Sequence, residues 1–153
     1  MTNVNAIITY AEKHCKKHGM CLTTQRKQVL ISLAQSKTAL TVYKIIALYK
    51  QLFNENIAAM SVYRILEFLE NEKFIHKLQL TNKYIICTHI ATDHDHHKSQ
   101  FLICSMCDLV KEINFEKSLI SKIKQGMKTA NFVLSNTQLE IHCICNTCIN
   151  KIA

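Results

Sequence analysis

Apolar residues recur at helical spacing along the first part of the chain and predict a series of helices. The first spans residues 3–18 and stops at Gly19, a residue suited to the left-handed cap that follows a last helical turn. Thr23 or Thr24 is placed to cap the second helix, and the third spans residues 41–54 with the broad apolar stripe of a helix packed on one side. The first part of the chain is therefore predicted to be largely helical.

A fourth helix, capped by Ser61, precedes two β-rich segments at residues 74–79 and 84–88, which are separated by a polar turn and predict a hairpin. Tyr63 and Arg64 must point away from the core, because the apolar stripe of this helix consists of Val62, Ile65, Leu66 and Leu69. Helices followed by such a hairpin describe a winged helix-turn-helix, in which the second helix of the motif enters the major groove of DNA. Ser61, Tyr63 and Arg64 are therefore predicted to contact DNA.

The second half of the chain changes to short strands around a single helix. Strand or helix patterns occupy residues 101–104, 109–113, 119–127 and 132–142. The whole pattern predicts an α+β protein with a winged-helix domain at residues 1–87, a histidine-rich linker at 88–100 and a small α/β domain at 101–153. A domain as small as the last commonly needs a metal ion or a partner subunit for its stability.

Four of the eight cysteines form two Cys-x-x-Cys pairs, Cys104 with Cys107 and Cys145 with Cys148. Two such turns present four thiolates, the tetrahedral sulfur shell that zinc accepts, and the strands and helix between the pairs can bring them together. The absence of an export signal argues against a disulfide framework, and the lack of a strand-to-helix redox turn argues against thioredoxin-type pairs. A structural zinc site is therefore expected at these four residues.

A second set of candidate ligands lies around the junction between the two halves. It mixes nitrogen, sulfur and oxygen donors and consists of His76, Cys87, His94, His96, His97 and Glu112. Taken singly, each has an ordinary explanation, such as a half-buried strand histidine, a small core cysteine or a surface carboxylate. Taken together they predict a second metal site, and a site shared by two domains can turn metal occupancy into a conformational signal.

Positive charge is concentrated in the first half of the chain. Residues 1–83 hold 12 Lys and Arg against 5 Asp and Glu, whereas residues 84–153 hold 7 against 6. Both arginines, Arg26 and Arg64, lie in the basic half, and their forked donors suit guanine edges and phosphates. A solvated lysine surface would explain the charge alone, but with the winged-helix pattern the charge predicts double-stranded DNA as the partner and adds Arg26 to the DNA-contacting residues.

No apolar stretch reaches the roughly 18 residues needed to cross a bilayer, and the first ten residues lack a basic start followed by an apolar block. We therefore expect a soluble, cytoplasmic protein without a membrane partner.

Several stretches of the sequence are shared with a known family. They are LTTQR at residues 22–26, SVYR at 61–64 and the two cysteine pairs, and over nearly the whole chain they resemble the ferric uptake regulator (Fur) family. FIHK at 74–77, TNKY at 81–84 and FLIC at 101–104 look most like the zinc uptake regulator (Zur) branch. Two departures stand out, because Asp108 occupies a position where a glycine commonly follows the first pair and Ser61 replaces the more usual threonine.

This resemblance implies a homodimer with a C-terminal dimerisation domain that binds palindromic operators and represses zinc-uptake genes when zinc is plentiful. It also implies two zinc ions per chain, one structural and one regulatory. His76, Cys87, His97 and Glu112 match the regulatory ligands of the family, with His94 or His96 as substitutes for His97 or as parts of a third site. Tyr63 and Arg64 match its DNA-contacting positions.

Three alternatives compete with a zinc-responsive repressor. A sibling regulator could sense iron, manganese or peroxide, although Cys87 argues against it because thiolate favours zinc over metals that prefer oxygen. A metalloenzyme would need an open zinc position beside a general base, and no matching motif for such a base is present. A purely structural zinc module would not explain the uneven basic charge, so the sequence favours the repressor and no enzymatic role.

Overall fold

The computed structural model describes residues 3–90, 92 and 99–153, and the chain divides into two compact units, Met1–His94 and Asp95–Ala153. The helices of the described residues are α1 (Val4–Lys17), α2 (Thr24–Ala34), α3 (Val42–Phe53), α4 (Ala59–Asn71), α5 (Lys117–Thr129) and α6 (Asn146–Ile152). The strands are β1 (Ile75–Leu78), β2 (Lys83–Ile86), β3 (Gln100–Cys104), β4 (Val110–Ile113) and β5 (Leu139–Cys143). Within this part of the chain, no helix is both long enough and apolar enough to cross a membrane.

Polar side chains define where the first three helices begin. Asn3 Oδ1 accepts a hydrogen bond from the Asn5 amide at 3.0 Å, and Thr23 Oγ1 accepts one from the Arg26 amide at 3.3 Å. Thr41 caps α3 in the same way. These bonds satisfy amides that have no partner within a helix, which is why the starts predicted at Thr23 and near Thr41 are confirmed.

The start predicted for the fourth helix is wrong. α4 begins at Ala59, two residues before Ser61, and its N-cap Ala58 makes no side-chain hydrogen bond. The segment before Ser61 contains alanines and a methionine, which have high helix propensity and no polar atom that could compete with the helix. Ser61 therefore lies inside the first turn of α4 and does not cap it.

The core of the first unit is built from α1 to α4 and the β1–β2 hairpin. The largest fully buried apolar side chains of this unit include Tyr49 of α3, Leu66 of α4 and Phe74, which precedes β1. An isolated bridge joins Leu40 to Tyr84 through two backbone hydrogen bonds of 2.9 and 2.8 Å. This bridge ties the segment before α3 to the hairpin, so the winged-helix arrangement predicted from sequence is present in this unit.

The second unit contains a three-stranded sheet in the order β4-β3-β5. β3 is antiparallel to β4 and parallel to β5, with Gln100 opposite Leu139 and Cys104 opposite Cys143. Parallel neighbours need a long crossover, and α5 provides it between β4 and β5. The small α/β unit expected from sequence is confirmed.

Two details of this unit differ from the sequence expectation. The strand predicted at residues 132–142 is confined to β5, and Phe132 and Val133 are 69% and 93% exposed ahead of it. Their apolar, β-favouring side chains imitate a strand, but strand propensity reflects packing on a sheet, which these residues lack. The seven-residue helix α6 was not predicted, because it is too short to show a helical period.

Thr41 and Ser61 give a matched test of the helix starts. We expect Thr41→Ala to lower the free energy of unfolding by about 1 kcal/mol because α3 loses its cap, whereas Ser61→Ala should change it by less than about 0.5 kcal/mol. Urea unfolding of the zinc-loaded protein, followed by circular dichroism, measures both. A larger loss for Ser61→Ala than for Thr41→Ala would contradict the assigned starts.

Candidate metal centre and nucleic-acid interface

The two Cys-x-x-Cys turns leave the same edge of the sheet in the second unit. Because β3 and β5 are parallel and Cys104 lies opposite Cys143, the turn after β3 and the turn after β5 lie side by side. Cys107 ends the first turn, while Cys145 is the N-cap of α6 and Cys148 lies in the first turn of that helix. The strand pairing thus converts two separated sequence pairs into one cluster.

The sulfur atoms of this cluster have the spacing of a metal site. The four cysteine Sγ atoms all lie within 4.8 Å of one another, and those of Cys107 and Cys145 are 3.7 Å apart. A tetrahedral zinc site with bonds of about 2.3 Å has sulfur–sulfur edges of about 3.8 Å. The donor set and its spacing therefore fit one zinc ion.

The first turn depends on a left-handed residue. Asp108 has φ of 58°, its amide donates to the Cys104 carbonyl at 3.1 Å, and the Cys104 amide donates to the Leu109 carbonyl at 2.9 Å. Aspartate enters this backbone region more readily than most residues with a side chain. This explains how Asp108 can occupy a turn position for which the resemblance noted from sequence leads us to expect glycine.

The environment of the four thiols is suited to a cation. Backbone amides of Cys145, Met106 and Cys107 donate to Cys104 and hold the pKa of its thiol at about 6, well below its ordinary value. Hydrogen bonding with Cys145, together with burial and the other thiols, raises the pKa of Cys148 to about 12. Four adjacent thiolates repel one another, so full ionisation of the cluster needs a bound positive ion.

In the first unit, two of the predicted regulatory ligands lie together. His76 of β1 and Cys87, the residue after β2, are 1% and 0% exposed, and a ring nitrogen of His76 lies within 4.8 Å of the Cys87 sulfur. The pairing of His76 with Ile85, and the hydrogen bond from the Cys87 amide to the Phe74 carbonyl, put both side chains on one face of the hairpin. The hairpin therefore presents an imidazole and a thiol side by side.

The other predicted regulatory ligands belong to the second unit or to its approach. Glu112 lies on β4, is half-buried, and accepts a hydrogen bond of 2.6 Å from the Ser99 hydroxyl. His94, His96 and His97 lie outside the described residues. The structure of each unit by itself therefore gives the environment of three of these residues.

The exposed face of α4 and the hairpin turn form one surface of the first unit. Arg64 is exposed, Tyr63 is 47% exposed, and Ser61 is half-buried in the first turn. Tyr63 shares a cavity of about 170 Å³ with Thr81 and Asn82 of the turn. Tyr63 thus lies next to the tip of the wing.

Tyr43 belongs to the same surface and was not singled out from the sequence. It is 78% exposed at the start of α3 and lines the cavity that Tyr63 also lines. Its position between the buried residues Val42 and Ile45, off the apolar stripe of α3, is the signal that marks it. The guanidinium of Arg26, which was also predicted to contact DNA, lies over the Phe68 ring and donates a hydrogen bond to the Cys21 carbonyl.

Comparisons with known proteins agree with this architecture. The model of the ferric uptake regulator family matches residues 17–142. The zinc uptake regulation protein of Escherichia coli (strain K12) is 30% identical over 150 residues, 97% of this chain and 84% of that protein. The ferric uptake regulation protein of Helicobacter pylori is 30% identical over 112 residues, 73% of this chain and 71% of that protein. The structure of a zinc uptake regulator complexed with zinc and DNA is similar with a TM-score of 0.81, at 27% identity and 99% coverage of both chains.

Cysteines two residues apart provide a matched test of the metal cluster. We expect Cys145→Ser to lose the tightly held zinc and to unfold the second unit, because metal binding contributes on the order of 10 kcal/mol to such small sites. Cys143→Ser should keep the zinc, since the Cys143 sulfur contacts the Ile103 carbonyl instead of the cluster. Zinc content after gel filtration and the thermal melt measure the outcome. Equal zinc loss in both variants would count against the assignment.

Proposed function

Because this chain belongs to the ferric uptake regulator family, we propose that it is a cytoplasmic, zinc-responsive transcriptional repressor that binds operator DNA as a homodimer and represses zinc-uptake genes. The observation that carries this proposal is the similarity to zinc uptake regulators along nearly the whole chain, in sequence and in structure. The metal cluster, the imidazole and thiol of the hairpin, and the basic first half each add independent support.

In this proposal the first unit binds DNA. α4 is the recognition helix, with Tyr63 and Arg64 directed to the major groove and Ser61 near the groove floor or the backbone. The net charge of +7 over residues 1–83, from 12 basic and 5 acidic residues, favours a polyanion over a neutral partner. A forked arginine such as Arg64 reads a guanine edge or grips a phosphate.

The four-cysteine cluster is proposed as the constant zinc site. Cys104, Cys107, Cys145 and Cys148 would hold the ion, whose charge and bonds supply the force that joins the two turns. The second unit has a small buried core, and α5 contributes no buried side chain to it within the described residues. Because this core is small, we expect zinc to bind the site during folding and to supply stability that the core lacks.

The regulatory zinc is proposed at His76, Cys87, His97 and Glu112, with His94 or His96 as substitutes for His97. His76 and Cys87 support this assignment because the hairpin already brings their donor atoms together in a buried setting. A thiolate beside imidazoles favours zinc over iron or manganese, which prefer more oxygen ligands. The assignment of Glu112 and of His97, His94 or His96 rests on the family resemblance. Two zinc ions per chain follow from the two proposed sites.

The second unit is proposed to form the homodimer. It exposes several large apolar side chains, namely Leu119, Phe132, Val133, Ile149 and Ile152. Apolar side chains scattered singly on a surface are ordinary, but a helix such as α5 with no buried residue and an apolar stripe indicates a missing partner. A second copy of the chain is the partner that the family resemblance favours.

A sibling role in iron, manganese or peroxide sensing is the second candidate. It is supported by the similarity to the ferric uptake regulation protein of Helicobacter pylori, which extends over 73% of this chain. The Cys87 thiol argues against this role, because a thiolate ligand favours zinc over metals that prefer oxygen. The metal that activates DNA binding separates the two candidates.

Zinc dependence of operator binding tests the proposed function. Duplexes would be selected from genomic fragments with the zinc-loaded protein, and their affinity measured by fluorescence anisotropy across buffered free zinc. We expect binding to require zinc beyond the first equivalent per chain, and Fe(II) or Mn(II) at matched free concentrations to be ineffective. Equally tight binding at one zinc per chain, or activation by Fe(II) alone, would reject zinc sensing.

Replacement of Cys87 separates sensing from folding. We expect Cys87→Ser to retain one zinc per chain and its fold but to lose the zinc-dependent increase in operator affinity by at least about tenfold, because a soft ligand is removed from the regulatory set. Cys21→Ser is the matched control, as Cys21 is an exposed thiol of the same unit. A normal zinc response in Cys87→Ser would remove this residue from the sensor.

A further inference from the structure

Arg26 makes two contacts within the first unit that determine how its side chain is used. Its guanidinium carbon lies 3.7 Å from the centroid of the Phe68 ring, and its Nη1 donates a hydrogen bond of 2.7 Å to the Cys21 carbonyl. The side chain is half-buried. The flat face of the guanidinium and one of its donors are therefore already engaged by the protein.

Phe68 links Arg26 to the proposed DNA-binding surface, because this ring belongs to the proposed recognition helix. It lies on α4 four residues after Arg64, so the two side chains are neighbours on one face of the helix. Phe68 is partly buried and packs against the core of the unit. Arg26, in the first turn of α2, covers the outer face of that ring and thereby joins α2 to α4.

A cation is unfavourable at the place where Arg26 stands. The first turn of a helix has partial positive charge, and α2 has no acidic residue in that turn. A positive side chain there needs compensating contacts, and the Phe68 ring and the Cys21 carbonyl supply negative potential to it. The charge of Arg26 is thus directed toward the protein.

Two further polar contacts connect the same three helices. Glu72, which ends α4, is 3.0 Å from Nε2 of His14 on α1, and Lys27 of α2 forms an ion pair with Glu12 of α1. Together with the contact of Arg26 with the Phe68 ring, these pairs place a charged side chain between each two of α1, α2 and α4. The contact between α2 and α4 is the one that lies next to Arg64.

We infer that Arg26 is a positioning residue, which fixes the orientation of α4 through Phe68 and does not itself contact DNA. This inference rests on the proposed DNA-binding function and names the residue that holds the recognition helix in place. It replaces the expectation from sequence that Arg26 reads a base edge or grips a phosphate.

The decisive experiment compares Arg26→Ala and Arg26→Lys in operator affinity as a function of salt. Positioning predicts that both weaken binding by about 5- to 30-fold, the size of one well-placed cation–π contact, with an unchanged slope of affinity against salt. A phosphate contact predicts that Arg26→Ala lowers the slope by about 1 and that Arg26→Lys restores both slope and affinity. The second pattern would overturn the inference.

A double-mutant cycle with Phe68→Leu identifies the route of the effect. If Arg26 acts through the ring, the double variant Arg26→Ala with Phe68→Leu binds operator no more than about twofold weaker than the weaker single variant. Losses that multiply would show that Arg26 acts independently of Phe68. Arg64→Ala in place of Phe68→Leu is the control, for which losses are expected to multiply.

Hydrogen exchange tests the inference without DNA. In the zinc-loaded protein, Arg26→Ala and Arg26→Lys should speed amide exchange in α4 while zinc content and the melt of the second unit stay unchanged. Unchanged exchange in α4 would overturn the inference. If the exchange result holds and the wild-type protein binds no operator in zinc, the proposed function fails and the packing role of Arg26 stands.

Discussion

The parallel pairing of β3 with β5 is the constraint on which the second unit depends. Parallel strands end at the same edge, so a Cys-x-x-Cys turn placed after each strand arrives at one point although Cys107 and Cys145 are 38 positions apart. The strand pairing by itself stabilises the second unit only modestly, because this unit buries few apolar side chains. Sheet and metal ligands therefore support each other: the strands aim the thiols, and a cation bound by the thiols would lock the strand ends.

The first unit reaches stability by a different route. Four helices and the hairpin share one continuous apolar core, so it has no comparable need of a metal ion to fold. His76 and Cys87 are therefore candidates for a role other than folding. His76 lies on β1 and Cys87 directly follows β2, and the turn between these two strands lies beside Tyr63 of α4. A metal ligand set built on those strands is structurally close to the surface proposed to contact DNA.

Sequence patterns predicted the parts of the fold that repeat, and missed those decided by a few local contacts. The apolar period of α3 and its threonine cap were sufficient to locate that helix. The first residue of α4 could not be predicted from sequence, because its N-cap is an alanine without a capping side chain and the first residue of the helix is also an alanine. The spacing of the cysteine pairs predicted the four-sulfur cluster, but the distances among the sulfurs depend on strand register, which spacing does not specify.

The two arginines show that one residue type can stand in two different environments. Both arginines lie in the basic half, and the same argument from donor geometry assigned both to DNA. The difference lies in their neighbours, since Arg64 is exposed on α4 while Arg26 is within reach of an aromatic ring and a backbone carbonyl. A guanidinium that already has an aromatic face and an acceptor gains less from a new anionic partner than one that has only water. If the first unit binds DNA as proposed, this local competition for the cation would leave Arg64 to face the nucleic acid and Arg26 to hold the helix that carries it.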